Sequence, residues 1–322
     1  MNYARGGHTA TVLTNGSVLV VGGQYSSVAL NSVELYNPST GSWNTPSNLS
    51  QARVYHTASL LNNGNVLVVG GSDGANPLNS AELYDPSTGI WTNTGSLNYG
   101  RYFHTATVLT DGKVLVCAGV TIGMGSDIAE LYDPITGIWN TSGSLQYSRN
   151  NPTATLLMDG NVLIVGGYGS FMNTAELYNY STGTWTLMGY LTDGRSSHTA
   201  SLLTNGSVLI TGGTPPGSGV LNSSELYDPS TGNWIITGNL NEGRSQHTAS
   251  VLSDGTILVT GGYNGSTSLD TVELYDPLTG LWTTASRLND ARFQHTASIL
   301  NNGRVLVTGS FSSSISNHAE LY

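Results

Sequence analysis

The chain has 322 residues, yet only 9% of them are charged, and the net charge is −10 with a single lysine, Lys113. That composition excludes charge-driven disorder. It offers no basic patch to neutralise phosphates, which argues against nucleic acid as a partner. No apolar run reaches the roughly 18 residues of a membrane-spanning helix, so no membrane insertion is expected.

The opening stretch "MNYARGGHTA" has no apolar signal-peptide core. Compartment stays open on these grounds, with the low charge and the Ser/Thr/Asn/Gly-rich composition favouring an extracellular or cell-surface setting. The first predicted elements lie in "RGGHTATVLTNGSVLVVGG" (5–23), and this stretch returns six times. It recurs as "RVYHTASLLNNGNVLVVGG" (53–71), "RYFHTATVLTDGKVLVCAG" (101–119) and "RNNPTATLLMDGNVLIVGG" (149–167). The last three copies begin at Arg195, Arg244 and Arg292. The repeats run approximately 5–52, 53–100, 101–148, 149–194, 195–243, 244–291 and 292–322, within one domain spanning 1–322. A period of 46 to 49 residues marks a stacked repeat architecture.

Within the second repeat, "HTASLL" predicts a short strand and "NNG" a hairpin turn. "NVLVVGG" is an almost continuous apolar run, as in a strand covered on both faces. "AELYDP" is a third strand, "PSTG" a turn, and "IWTNT" a fourth strand carrying Trp91. The unit is therefore a four-stranded antiparallel meander, which cannot bury both faces without neighbours. Small residues on the first strand and Tyr and Trp on the outer ones describe a wedge. Wedges stack radially, which predicts an all-β, seven-bladed β-propeller.

The glycine pair, the tyrosine after it and a Trp nine residues beyond the Glu resemble the kelch motif, seven times over. The resemblance implies a kelch-type propeller of the kelch and galactose oxidase central-domain kind. It implies a fold more firmly than a job, because such propellers serve many functions. Departures are Ala118–Gly119 and Gly309–Ser310 for the glycine pair, Pro152 for the His, and Tyr180 for the turn proline. The seventh blade ends at "HAELY", so it should lack its outermost strand. Residues 1–4 are too few to replace that strand, which predicts an open edge at 318–322 and makes the sequence read as an excerpt of a longer protein.

Spacing locates the variation. Arg to the first position of the glycine pair is always 17, Glu to Trp 9 and Trp to the next Arg 10. Only the distance from that glycine position to Glu changes, from 10 to 13. The loop between second and third strands therefore varies, and it lies on the same face as the blade-to-blade connections. Function concentrates on such loops. Tyr25, Tyr168 and Tyr263 lie in them. A second variable position precedes the repeated His and should ring the channel mouth: Gly7, Tyr55, Phe103, Asn151, Ser197, Gln246 and Gln294.

The repeated residues read as structural. Arg53 and Arg101 with Glu82 and Glu130 represent one buried ion pair per blade, against the alternative that each Glu binds backbone amides. Trp91 and Trp139 represent packing between blades. The six repeated histidines lie too far apart for one ion, since packed sheets are about 10 Å apart and zinc–nitrogen bonds about 2 Å; backbone hydrogen bonding is their expected role. Cys117 stands where the first two copies have Val21 and Val69 and reads as a buried small hydrophobe. A galactose oxidase-type copper site implies a Cys–Tyr crosslink, further Tyr and His ligands and another domain, whereas Cys117 lies within a strand. No catalytic residue, metal or cofactor is assigned. The sequence thus predicts a non-catalytic scaffold for a protein or glycan partner. The alternatives are a sugar-directed propeller enzyme, of the mutarotase or oxidase kind, or a purely structural segment of a surface protein.

Overall fold

The computed structural model describes residues 1–122, 125–311 and 317–322. Six four-stranded antiparallel sheets and one three-stranded sheet follow one another along the chain as the blades of a propeller. Blade two shows the pattern: Thr57–Leu60, Val66–Val69, Ala81–Asp85 and Ile90–Asn93, from the axis outward. Each first strand touches the next around the axis, and Thr296–Ile299 of blade seven meets Thr9–Val12 of blade one, so the ring closes. The second strand is buried along its whole length in all seven blades. That explains its unbroken apolar character. Leucines from the turns and linkers, such as Leu61 and Leu97, fill the gap to the next blade together with Val114, Val116 and Tyr132.

One arginine organises each blade. Arg53 Nη1 donates to the carbonyls of Gly70 and Ser80, at 2.7 and 3.2 Å, and Nη2 donates to Glu82 Oε1 at 2.9 Å. Arg101 does the same with Ala118, Ile128 and Glu130. The ion pair recurs in all seven blades at 2.6 to 3.0 Å, always within a blade. The carboxylate's other oxygen accepts from the linker that enters the blade, as Glu82 does from Ser50 N at 2.8 Å and Glu130 from Asn98 N at 2.7 Å. Both roles weighed for the Glu are therefore present at once.

The tryptophans sit between blades. Trp91 Nε1 donates to Ser47 O and Trp139 Nε1 to Gly95 O, each in the preceding linker, at 2.9 and 2.7 Å. Their rings lie 4.9 and 5.0 Å from Tyr84 and Tyr132. Trp139 and Trp282 are buried, while the other four are half-buried. Trp43 packs on Tyr36, but its Nε1 finds no acceptor among the described residues.

Blade seven has three strands, Thr296–Ile299, Val305–Thr308 and Ala319–Leu321. Among the described residues Ala319–Leu321 has no fourth-strand partner, as expected, but residues 1–4 do reach Asn317, just before that edge. The Met1 amine donates to Asn317 O at 3.0 Å, and Asn317 Nδ2 donates to Met1 O at 3.3 Å. These repeat the bonds that Leu49 makes with Asn31 in blade one, at 3.0 and 3.3 Å. Met1, Ala319 and Leu321 pack against the same core cluster of Val18, Val20, Tyr36, Leu300 and Leu306. The N-terminal residues thus take the place of the linker that would follow a fourth strand, without supplying the strand.

Removing one partner of a buried ion pair typically costs about 3–5 kcal/mol. Glu130→Ala should lower the urea midpoint by a corresponding amount, because it strands Arg101 and frees Asn98 N together. A parent-like midpoint would show that the carbonyls alone satisfy the guanidinium.

Candidate functional site at the channel mouth

The seven residues before the repeated histidine position share one backbone conformation. Gly7, Tyr55, Phe103, Asn151, Ser197, Gln246 and Gln294 all have left-handed φ, between 50° and 63°. Six of the seven carry side chains, for which that region is uncommon and mildly strained. The reward is a ring of backbone bonds. Tyr55 N donates to Gly7 O, Phe103 N to Tyr55 O, Asn151 N to Phe103 O, Gln246 N to Ser197 O, Gln294 N to Gln246 O and Gly7 N to Gln294 O, at 2.9 to 3.2 Å. Between blades four and five, Asn151 Nδ2 donates to Ser197 Oγ at 2.7 Å instead. The annulus fixes the backbone and leaves the side chains free to differ.

These seven residues, with the six histidines beneath them, line one cavity of about 290 Å³. One side is aromatic: Tyr55 and Phe103 stack at 4.1 Å, and Tyr102 flanks Phe103 at 5.4 Å. Tyr55 reaches across blade one, donating from its hydroxyl to Gln294 Oε1 at 3.4 Å. Gly7 allows this, since a Cβ there would lie 2.8 Å from the Tyr55 ring. The other side is polar, with Asn151, Ser197, Gln246 and Gln294; Gln246 Oε1 is buried without a partner. The lining contains no Asp, Glu, Lys or Arg.

Tyr25, Tyr168 and Tyr263 lie on the same face but outside this cavity. Tyr25 belongs to a small hairpin, Gln24–Tyr25 with Val28–Ala29, beside a groove shared with Asn2 and Tyr3. Tyr168 is exposed on the rim, and Tyr263 packs at 5.5 Å on Phe293, which in turn faces Phe311 at 6.2 Å. Arg53, Arg101, Glu82, Glu130, Trp91 and Trp139 are not lining residues but lie inside or between blades, with Arg53 and Arg101 next to the lining histidines His56 and His104. Sequence reasoning missed the histidines as cavity walls, and missed Tyr102, Phe293 and Phe311. The signal was available in the column one place after each Arg, which pairs across the sheet with the residue after the glycine pair, as Val54 does with Ser72.

The histidines have a side-chain partner beyond the expected backbone one. Each Nε2 meets the hydroxyl of a threonine on the preceding blade's first strand, as His56 does Thr9, His104 Thr57 and His8 Thr296, at 2.9 to 3.0 Å, while His56, His104 and His247 also interact with the backbone of Arg53, Arg101 and Arg244. The short threonine reaches the seam between blades, where the ring is wedged. Burial, and then the neighbouring arginine, pull His104, His198 and His295 down to about 3 and hold His8, His56 and His247 well below the usual value. The floor of the cavity is therefore uncharged.

Blade four has Pro152 in place of His, and its neighbour has adjusted. At six glycine positions a Cβ would fall 2.5 to 2.9 Å from the Cε1 of the next blade's histidine. The seventh position is Ala118, also left-handed at φ 62°, and it faces the blade that has no imidazole. Thr105, deprived of its histidine, lies 3.2 Å from Cys117 Sγ. Burial pushes the Cys117 thiol up to about 11, so it stays protonated. Ala118 thus matches the loss of the imidazole at Pro152, while the Thr105–Cys117 contact has counterparts in Thr248–Thr260 and Thr296–Thr308 of blades that face a histidine.

That adjustment can be tested with a double-mutant cycle. Pro152→His alone forces an imidazole against Ala118 Cβ and should cost about 1–3 kcal/mol. Ala118→Gly in the same chain should restore most of the loss. Additive midpoints would disprove the coupling. The histidines make a separate prediction. They bind protons in the unfolded chain from about pH 6.5 downward but in the native state only near 3. The unfolded state therefore holds more protons within this window, and native stability falls as pH is lowered through it. Melting temperature should decline from pH 7 to pH 4, and His104→Gln should flatten the decline. A slope that His104→Gln leaves unchanged would contradict it.

A family model described as the KLHDC2/KLHL20/DRC7 Kelch-repeats domain matches residues 1–167, and the Kelch motif matches residues 149–192 and 244–289. No curated protein matches the chain. Among solved structures, a fungal alcohol oxidase of the AA5 family in complex with copper superposes with a TM-score of 0.82 at 20% identity, covering 97% of this chain and 71% of that one. The protein titled YjhT superposes with a TM-score of 0.69 at 16% identity, covering 89% and 99%. At these identities the likeness shows the fold. With seven copies of its motif around one axis and a matching family model across half its length, the chain belongs to the kelch-repeat family of β-propellers.

Proposed function

We propose that this propeller is a non-catalytic binding scaffold that takes its protein or glycan ligand at the channel mouth. The observation that carries this reading is the charge-free lining on a backbone annulus. A general acid or base needs a pKa near the working pH, and the depressed histidines are far from it. Their Nε2 atoms already meet threonines. Ser197 Oγ accepts from Asn151 Nδ2. Arg, Glu and His converging at the mouth would favour a sugar-directed enzyme. Here the repeated Arg and Glu are spent inside the blades. A rigid site loses little conformational entropy when it binds, and kelch propellers generally act as scaffolds for protein partners.

Ser197→Trp tests the reading, because the annulus already accepts large side chains at this φ. The variant gives up the Asn151–Ser197 bond but keeps the six backbone links of the annulus, so it should still fold, and it should lose binding to the ligands that the parent selects from glycan arrays and peptide libraries. Retained binding would move the site elsewhere. Peroxide production from simple alcohols or sugars after copper addition would overturn the non-catalytic assignment.

A further inference from the structure

The two sides of the mouth differ in chemistry, and the difference narrows the ligand class. We propose that the cavity receives the terminal ring of a neutral saccharide, with its C–H face against Phe103 and Tyr55 and its hydroxyls toward Asn151, Ser197, Gln246 and Gln294. This rests on the reading of the mouth as the binding site.

Five observations support it. The lining offers no cation for a carboxylate, sulfate or phosphate and no anion for an ammonium group. That disfavours acidic sugars, phosphosugars, chain termini and charged peptide side chains, since a desolvated charge needs a partner. The stacked pair Tyr55–Phe103, 4.1 Å apart, presents an apolar surface on one side only. A pyranose has both an apolar C–H face and a rim of hydroxyls that donate and accept. The polar side is built from amides and a hydroxyl, which also donate and accept. Gln246 lines this side, and its Oε1 has no partner among the described residues. A cavity of about 290 Å³ lies at the lower end of the roughly 300–1,000 Å³ of small-molecule sites. It suits a single ring and is too small for a folded segment. The fixed annulus finally holds the aromatic and amide sides at a constant separation.

The test is a titration of the 322-residue protein with neutral oligosaccharides, chosen from an array that also carries sialylated, sulfated and uncharged-peptide probes, and followed by ligand-observed NMR. Phe103→Gly removes the stacking face and suits the left-handed φ of 54°. Gln246→Ala removes the unpartnered acceptor. Binding of a neutral saccharide that each variant weakens about tenfold or more, with little dependence on salt, supports the proposal. Ser197→Trp should abolish it. Should Phe103→Gly unfold, Gln246→Ala and Ser197→Trp still decide the matter. Mouth-dependent binding of peptides alone would overturn the saccharide assignment and leave the scaffold reading standing. Preference for charged glycans with a steep salt dependence would overturn it in the same way. No mouth-dependent binding of any probe would overturn both.

Discussion

Everything in this propeller hangs on the buried arginine of each blade. Its Nη1 holds two carbonyls, that of the first glycine position and that of the residue two before the Glu, as Arg195 does with Gly212 at 2.9 Å and Ser223 at 3.0 Å. These two residues are the ends of the loop between second and third strands. One nitrogen thus clamps each variable loop at its base. Loop length between the clamped ends changes freely, since closure cost rises only slowly with length. The Arg-to-glycine spacing of 17 cannot change, because it is set by the reach of the same side chain. Burying a guanidinium is expensive, and burial pulls the Arg195 pKa down while Glu225 pushes it back. That is why the Glu recurs as strictly as the Arg. The arginine also joins blades through its own carbonyl, which accepts from the second residue of the preceding glycine pair, as Arg101 O does from Gly71 N at 2.8 Å.

The annulus at the mouth solves a different problem. A propeller's inner strands converge at its axis, and the connections there must satisfy their backbone groups without a sheet. A left-handed residue turns its N–H toward the preceding blade and its C=O toward the next. The strain of about 1–3 kcal/mol for such a conformation is comparable with what one or two hydrogen bonds contribute at about 1 kcal/mol each. Backbone atoms make six of the seven links and the Asn151–Ser197 side-chain bond makes the seventh, so at the other positions the side chains need only fit their neighbours. The scaffold is therefore constant and the recognition surface variable, within one chain of near-identical units.

Seven copies in one sequence also expose how neighbours accommodate a departure. Pro152 removes an imidazole from one seam, and one residue of the adjacent blade matches it. Ala118 carries a Cβ where the other copies need hydrogen, while Cys117 sits beside Thr105 as Thr260 does beside Thr248, its thiol kept protonated by burial. Read alone, the Arg, His and Cys of the third copy suggest chemistry. Read against the other copies, they are packing.

The sequence by itself determined the blade count, the four-strand meander, the tight-turn and loop faces and the missing outer strand of blade seven, because periodicity and glycine placement are local and repeated seven times. It also singled out the mouth position, since that column varies at constant spacing. Only the tertiary structure decided that Tyr55 leans over Gly7 to Gln294, that the histidines meet threonines of the preceding blade, and that Met1 closes the seam at Asn317. It also separated Tyr25, Tyr168 and Tyr263 from the cavity. Each of those depends on contacts between residues distant along the chain or on the direction of a side chain on a curved rim. The pattern within one repeat specifies the blade, while the radius and tilt of seven packed blades specify what meets at the axis.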